Sequence, residues 1–253
     1  MGMRFALVYF TATKNSLYVA NRLRGYIEAD VFDMADPGFM EADLSGYEGI
    51  GVVCPVYCGG IPNFVEKIIQ TKLAQYKDKY HFAILNYGDN RYNAEYVLSE
   101  VYKTAGLKLS YYNAVKMPEN FVVLFKVPGK EKVENILADA DQLIPNISKP
   151  IVGLKKMMPP KKKLANIFIV PFYNFSRKKW KKAAQKYNVA GCNRCSICAR
   201  GCPTKNIGFR GGDIVFGENC EFCLKCINIC PRGALSYGIA RTNGARYMNP
   251  KVL

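Results

Sequence analysis

This 253-residue sequence predicts an α/β fold, a doubly wound parallel sheet followed by a small cysteine-rich module. Three observations carry that expectation. Buried-type apolar runs alternate with helix-period segments over residues 1–147, several of those runs end in polar loops, and eight of the ten cysteines lie between Cys192 and Cys230. Strands that alternate with helices imply a parallel sheet covered on both faces, because each parallel crossover carries a helix across the sheet.

The elements follow in order. Phe5–Phe10 is a short apolar run and reads as the first strand; it ends in the polar loop Thr11–Asn15. A helix is expected next, with Val19, Ala20, Leu23 and Ile27 on one face. Ile50–Val53 is a second buried run, ending in CPVYCGGIP, and Phe82–Leu85 a third, ending in NYGDN. Glu95–Lys103 reads as helical, Leu109–Val115 as a strand and Lys130–Ile144 as a final helix. In such sheets ligands bind beyond the carboxyl ends of the strands, where the polar loops after the first three runs lie.

Beyond residue 147 the character changes. From Lys149 to Lys186 there are twelve Lys or Arg and no Asp or Glu, and the aromatic stretch LANIFIVPFYNF is flanked by KKK and RKKWKK. The expected organisation is 1–147 as the sheet domain, 148–186 as a basic linker, 187–238 as the cysteine module and 239–253 as a basic tail. The N-terminus, MGMRFALVYF, lacks a basic segment followed by a long apolar region and a cleavage site, so a cytoplasmic location is expected. No apolar run approaches bilayer-spanning length.

CNRCSICARGCP and CEFCLKCINICP both spell C-x-x-C-x-x-C-x-x-x-C-P. Three cysteines at this spacing wrap one 4Fe–4S cubane, and the fourth, followed by proline, reaches the other cluster. The first cluster then takes Cys192, Cys195, Cys198 and Cys230, and the second Cys220, Cys223, Cys226 and Cys202. Paired four-cysteine zinc sites are the competing reading, but those usually join two C-x-x-C units across a longer gap. A secreted disulfide scaffold would spread its cysteines through a small loop-rich chain. With one histidine, His81, the sequence has almost nothing for His-based metal sites or triads.

Hydroxyls and successive amides at a helix N-terminus cradle phosphate, which accounts for the residue types of Thr11-Ala12-Thr13-Lys14-Asn15-Ser16. This segment resembles the flavodoxin phosphate loop. Pro55-Val56-Tyr57 and Gly59 through Pro62 resemble the loop that lines one face of the isoalloxazine, and Gly88-Asp89 with Tyr92 and Ala94-Glu95-Tyr96 resembles the third loop. With VKMPENF (Val115–Phe121), the basic linker and the double cysteine run, nearly the whole chain resembles the flavodoxin–ferredoxin fusion proteins of the EFR1 type. The resemblance implies a flavodoxin-like domain binding FMN and a small α+β two-cluster ferredoxin domain. Its candidate flavin-site residues are Thr11, Ala12, Thr13, Lys14, Asn15 and Ser16; Pro55, Val56, Tyr57, Cys58, Gly59 and Gly60; and Asn86, Tyr87, Gly88, Asp89 and Tyr92. Tyr57 and Tyr87 or Tyr92 would stack on the ring, and the amides of Tyr57–Gly60 would bond its N5. Lys14 stands where flavodoxins usually have glycine, so it either strains the loop or pairs with the phosphate. A flavodoxin-like fold without flavin is the alternative.

The implied function is electron transfer between low-potential clusters and FMN. Two further readings stay open: an FMN-dependent reductase of a small substrate fed by the clusters, and a ferredoxin with a flavin-free scaffold domain. The formal charge of +16 falls to roughly +10 once two anionic clusters and a flavin phosphate are counted. The remaining positive charge suits an acidic redox partner such as a ferredoxin, a flavodoxin or an oxidoreductase. The basic stretch also reads as a strap between domains, or as a peripheral membrane contact through Phe168, Phe172 and Trp180. No recognition-helix or single-strand-binding motif supports nucleic acid. Among weaker features, Cys54 and Cys58 are read as packing residues rather than a redox pair. His81 is expected at an edge or the surface, and Asp89 either contacts the flavin or caps the following helix.

Overall fold

The computed structural model describes residues 2–122, 125–164, 188–189, 191–236 and 246–252. Phe168, Phe172 and Trp180 of the basic stretch lie outside the described residues. The N-terminal part is a flavodoxin-like α/β domain. Its strands are β1 (Phe5–Tyr9), β2 (Ala29–Asp33), β3 (Gly49–Pro55), β4 (Tyr80–Tyr87) and β5 (Leu109–Lys116), all parallel, in the order β2-β1-β3-β4-β5. That order reverses direction between β1 and β3, so the crevice at their carboxyl ends is the topological switch point where this fold takes ligands.

Period-two alternation sends neighbouring side chains of β1 to opposite faces. Phe5, Leu7 and Tyr9 join the core under α1 (Asn15–Arg24) and α4 (Lys130–Val152). Ala6 and Val8 join the core under α2 (Asn63–Thr71) and α3 (Ala94–Thr104). Two elements escape the sequence patterns, β2 and α2. All five residues of β2 are only half-buried at the sheet edge, and its ADVFD carries acids at both flanks of the apolar pair.

The last helix of the domain also runs further than its periodicity predicts. Pro145 and Pro150 read as stops, yet the helix continues through both to Val152. An interior proline costs about 3 kcal/mol, while burying an isoleucine yields about 1.5–3 kcal/mol. Ile144, Ile147 and Ile151 are all essentially inaccessible, so the buried face offsets the two breaks. After the helix the chain returns along the β5 edge, where the Met157 amide donates to the Ser110 carbonyl.

The cysteine-rich part is a small α+β unit. One antiparallel ribbon joins β6 (Asn188–Val189) to the later β9 (Leu235–Ser236), and a second joins β7 (Ile207–Arg210) to β8 (Asp213–Phe216). Two short helices lie between the ribbons in sequence, α5 (Ile197–Arg200) and α6 (Lys225–Ile229). This unit packs through Phe222, Leu224, Ile227 and Leu235 on Val122 and Phe121, just beyond β5. Among the described residues no helix is long and apolar enough to cross a membrane.

Candidate functional site

Three cavities gather the eight cluster-type cysteines and the β3- and β4-loop candidates, but not most of the phosphate loop. The largest, about 280 Å³, opens at the carboxyl ends of β3, β4 and β5. Pro55, Val56, Tyr57 and Cys58 line it from the β3 loop, and Asn86, Tyr87, Gly88, Asp89 and Tyr92 from the β4 loop. Of the phosphate-loop candidates only Asn15 reaches it; Thr11, Ala12, Thr13, Lys14 and Ser16 do not line it, nor do Gly59 and Gly60. Of the remaining walls, the sequence assigned only Cys223 as a site residue, and that to a cluster rather than to this cavity. Met117, Pro118, Glu119 and Asn120 follow β5, with Phe121 and Phe125 beyond them, and Phe222 and Cys223 come from the cysteine module. The β5 segment left a trace in the stretch VKMPENF, without a site role.

The β3 loop is built as a tight turn. Tyr57 and Gly60 exchange both backbone hydrogen bonds, at 3.0 and 3.1 Å, and Cys58 and Gly59 between them have φ of 49° and 80°. Two successive positive φ values define a primed turn. This corrects the expectation for the flavin N5: the amides of Tyr57 and Gly60 are spent on the turn, which leaves those of Cys58 and Gly59 at its tip. Gly59 is required for a second reason, since a Cβ there would stand 2.9 Å from the Cβ of Tyr92. Tyr87 carries the Arg91 guanidinium over its ring at 5.4 Å, and Arg91 is paired with Glu95 at 2.7 Å. Asp89 is exposed on the cavity wall, and Asn93, not Asp89, stands at the N-cap of α3.

The phosphate loop is buried and internally bonded. Lys14 is the N-cap of α1 with φ 68° and ψ 3°, so this lysine adopts the left-handed conformation that glycine supplies at no cost. Its ammonium bonds the carbonyl of Val252 at 3.0 Å. The Thr13 hydroxyl accepts from Asn120 Nδ2 at 2.6 Å, and Ser16 Oγ accepts from Asn86 Nδ2 at 2.7 Å. Lys14 makes no side-chain cap bond to the first turn of α1, and no acid lies in that turn. Uncapped first-turn amides at the positive end of a helix suit an anion. With an aromatic-lined cavity adjoining at Asn15, the residues present fit FMN: the loop could take its phosphate and the cavity its ring.

The cysteines fall into two groups of four. One small cavity is lined by Cys192, Cys195, Cys198 and Cys230, the other by Cys202, Cys220, Cys223 and Cys226. Each run therefore sends its fourth cysteine to the other group. The two runs also share their local backbone. Arg194 and Ser196 in the first, like Phe222 and Leu224 in the second, have φ near 60°. Amides point at sulfur in matched pairs: Arg194 to Cys192 Sγ with Phe222 to Cys220 Sγ, and Asn206 to Cys202 Sγ with Ala234 to Cys230 Sγ, at 3.2–3.4 Å. Such donors stabilise charged sulfur. Burial pushes the Cys223 thiol up to about 12, with the Cys220 and Cys202 thiols adding to the rise, and raises Cys226 and Cys198 in the same way. Thiols as buried as Cys223 and Cys226 resist ionisation, so a bound cation would have to draw those protons off. Among the described residues no group of three His, Cys, Asp or Glu is placed to hold a single metal ion.

Three remaining residues are settled by burial. Cys54 is in the core, its thiol pushed far up by desolvation, and burial with the Glu119 charge holds Cys58 up at about 11. Neither has the thiolate character that reactivity needs. His81 corrects the expectation of a surface position: it is fully buried in β4, its Nε2 2.8 Å from the Tyr76 carbonyl and its ring edge-on to Tyr102.

No protein-family model matches this sequence, and no curated protein is significantly similar to it. Solved structures are similar over the N-terminal part. A flavodoxin from the domain Archaea is 16% identical with a TM-score of 0.41, covering 59% of this chain and 99% of its own. Fusobacterium nucleatum flavodoxin bound to flavin mononucleotide is 14% identical with a TM-score of 0.40, covering 60% and 99%. Two-electron reduced Megasphaera elsdenii flavodoxin is 15% identical with a TM-score of 0.41, covering 57% and 98%. The fold of the N-terminal domain rests on its own strand order, not on these likenesses.

Proposed function

We propose that this chain is an electron-transfer iron–sulfur flavoprotein of the flavodoxin–ferredoxin fusion type, passing single electrons between two 4Fe–4S clusters and FMN. The observation that carries the reading is Cys223, which lines both the second four-cysteine cavity and the aromatic cavity of the sheet domain. One cysteine thus stands in the wall common to both cavities. Flavin takes up two electrons and releases them singly, whereas each cluster exchanges one, which is the chemistry such a junction serves.

The chain's own residues have separable roles. Cys192, Cys195, Cys198 and Cys230 would hold one cluster, and Cys202, Cys220, Cys223 and Cys226 the other. The phosphate loop would bind the anionic end of FMN, while Tyr57, Tyr87 and Tyr92 present rings to the cavity. Phe121 and the buried Phe222 would shield the junction from water, while Phe125 stays half-exposed at its rim. The first four-cysteine cavity shares no lining residue with the aromatic cavity, which suits it to exchange with an external protein. Lys155, Lys156 and Lys161–Lys163 are exposed, and with the formal +16 they favour an acidic redox partner.

Anaerobic reconstitution with iron, sulfide and FMN tests the reading. About eight irons and one flavin per chain are expected. Zinc uptake in place of iron, or no flavin, would overturn it, the latter leaving a ferredoxin with a scaffold domain.

A further inference from the structure

The segment 246–252 lies far in sequence from the phosphate loop, yet it bonds that loop on one side and the cysteine module on the other. On the module side, the Arg246 guanidinium donates to the carbonyls of Ile227 and Leu235, at 2.6 and 3.2 Å. The Tyr247 amide donates to Asn228 Oδ1 at 3.0 Å, and Asn228 sits on α6 between the cluster-type cysteines Cys226 and Cys230. On the loop side, the Tyr247 hydroxyl donates to Asn15 Oδ1 at 2.8 Å. Asn249 donates its Nδ2 to the same oxygen at 3.2 Å and its backbone amide to the Thr13 carbonyl at 2.9 Å. Tyr247 and Asn249 are 4% and 1% exposed, so their bonds to the phosphate loop do not compete with bulk water.

Asn15 is the point on which they converge. Its Oδ1 accepts from both segment residues while its Nδ2 donates to the Pro118 carbonyl, so both ends of the amide are fixed. It is also the phosphate-loop residue that lines the aromatic cavity, at the first position of α1. The three bonds from Tyr247 and Asn249 fall on acceptors, a side-chain oxygen and a carbonyl, and leave the uncapped first-turn amides of α1 without a new partner.

We propose that Tyr247 and Asn249 are positioning residues of the phosphate loop, supplied by the segment 246–252, and that they make the loop's shape depend on the seated cysteine module. Taking FMN as the ligand rests on the function proposed above. Orientation is transmitted from α6 through Asn228 and Tyr247 to Asn15, and through Asn249 to the backbone of Thr13. An emptied or collapsed cysteine module loosens Asn228 and Arg246's acceptors, and with them the loop.

The test uses the full chain, reconstituted anaerobically, with Tyr247→Phe, Asn249→Ala and the double substitution. FMN and riboflavin affinities are read by flavin fluorescence; riboflavin has the same ring and no phosphate. The double variant is expected to weaken FMN by about tenfold or more, as loss of the two side-chain hydrogen bonds to Asn15 Oδ1 implies, while riboflavin changes by less than about twofold. Equal losses for both flavins, or an unchanged or tighter FMN, would overturn the proposal. Hydrogen exchange of amides 13–18 is the second readout: it speeds up in Asn249→Ala and on chelating iron from the unsubstituted chain. Unchanged exchange in either case would overturn the coupling. If the unsubstituted chain takes up no flavin, the proposed function fails, and exchange at 13–18 still decides the role of the segment.

Discussion

Replacing Lys14 separates the two consequences of a lysine at the turn into α1. At φ 68° an L-residue stands about 1–2 kcal/mol above its right-handed alternative. Lys14→Gly removes that strain, but glycine forfeits about 0.5–1 kcal/mol of extra chain entropy on folding. The substitution also deletes the 3.0 Å bond from the ammonium to the Val252 carbonyl, a net contribution of about 1 kcal/mol. The three contributions nearly cancel, so Lys14→Gly is expected within about 1 kcal/mol of the unsubstituted protein. Lys14→Met keeps the strain and loses the bond, and falls by about 1 kcal/mol. Lys14→Val adds a β-branched side chain to the left-handed turn and falls further, by about 2 kcal/mol in all. In a chain of this size those losses lower the melting temperature by about 2–4 °C and 4–8 °C. Thermal unfolding followed by far-ultraviolet circular dichroism under anaerobic conditions gives the order Gly, Met, Val. A glycine variant that melts as low as the methionine one would refute the strain argument, because then only the lost bond matters.

Other perturbations act elsewhere in the molecule. Gly51→Ala on β3 would place a methyl 2.3 Å from the Phe82 ring, so anaerobic urea denaturation should register a loss of about 1–3 kcal/mol. Cys223→Ser should lower the iron content after reconstitution from about eight to about four per chain. An unaltered count would remove Cys223 from the cluster set. His81 is buried neutral, and desolvation lowers its affinity for a proton below the ordinary value of 6.5. The unfolded chain therefore binds that proton first, so the stability His81 contributes is full above about pH 6.5 and lost as pH falls. Because it is the one histidine, the slope of stability between pH 5 and 7 should flatten in His81→Phe; a slope equal to that of the unsubstituted chain would contradict this.

How much of this was legible beforehand depends on whether the signal is local. The strands β1, β3, β4 and β5 announce themselves because buried parallel strands are continuous apolar runs. The half-exposed β2 does not, and its partner Arg4–Asp30, at 2.7 Å, joins residues whose pairing no periodicity encodes. Helix α4 was read as ending near Pro145 because propensity is local, whereas Ile147 and Ile151 find their burial in the sheet. His81 was misplaced for the same reason: its burial depends on Tyr76 and Tyr102, not on its neighbours in β4.

The amino-acid sequence by itself determined the doubly wound sheet, the three loops at its carboxyl edge and the two cysteine runs with their exchanged fourth members. Each is written in residue type and spacing over a few turns of chain. Only the tertiary structure decided that Cys223 lines the aromatic cavity, that the β3 loop consumes the amides of Tyr57 and Gly60, and that Tyr247 and Asn249 hold Asn15. The bonds of Tyr247 and Asn249 connect residues far apart in the chain, and they exist because packing the module against the end of β5 brings α6 and residues 246–252 to the phosphate loop. No local pattern carries a contact of that separation, since what makes it favourable is burial shared between parts of the chain that meet only after folding.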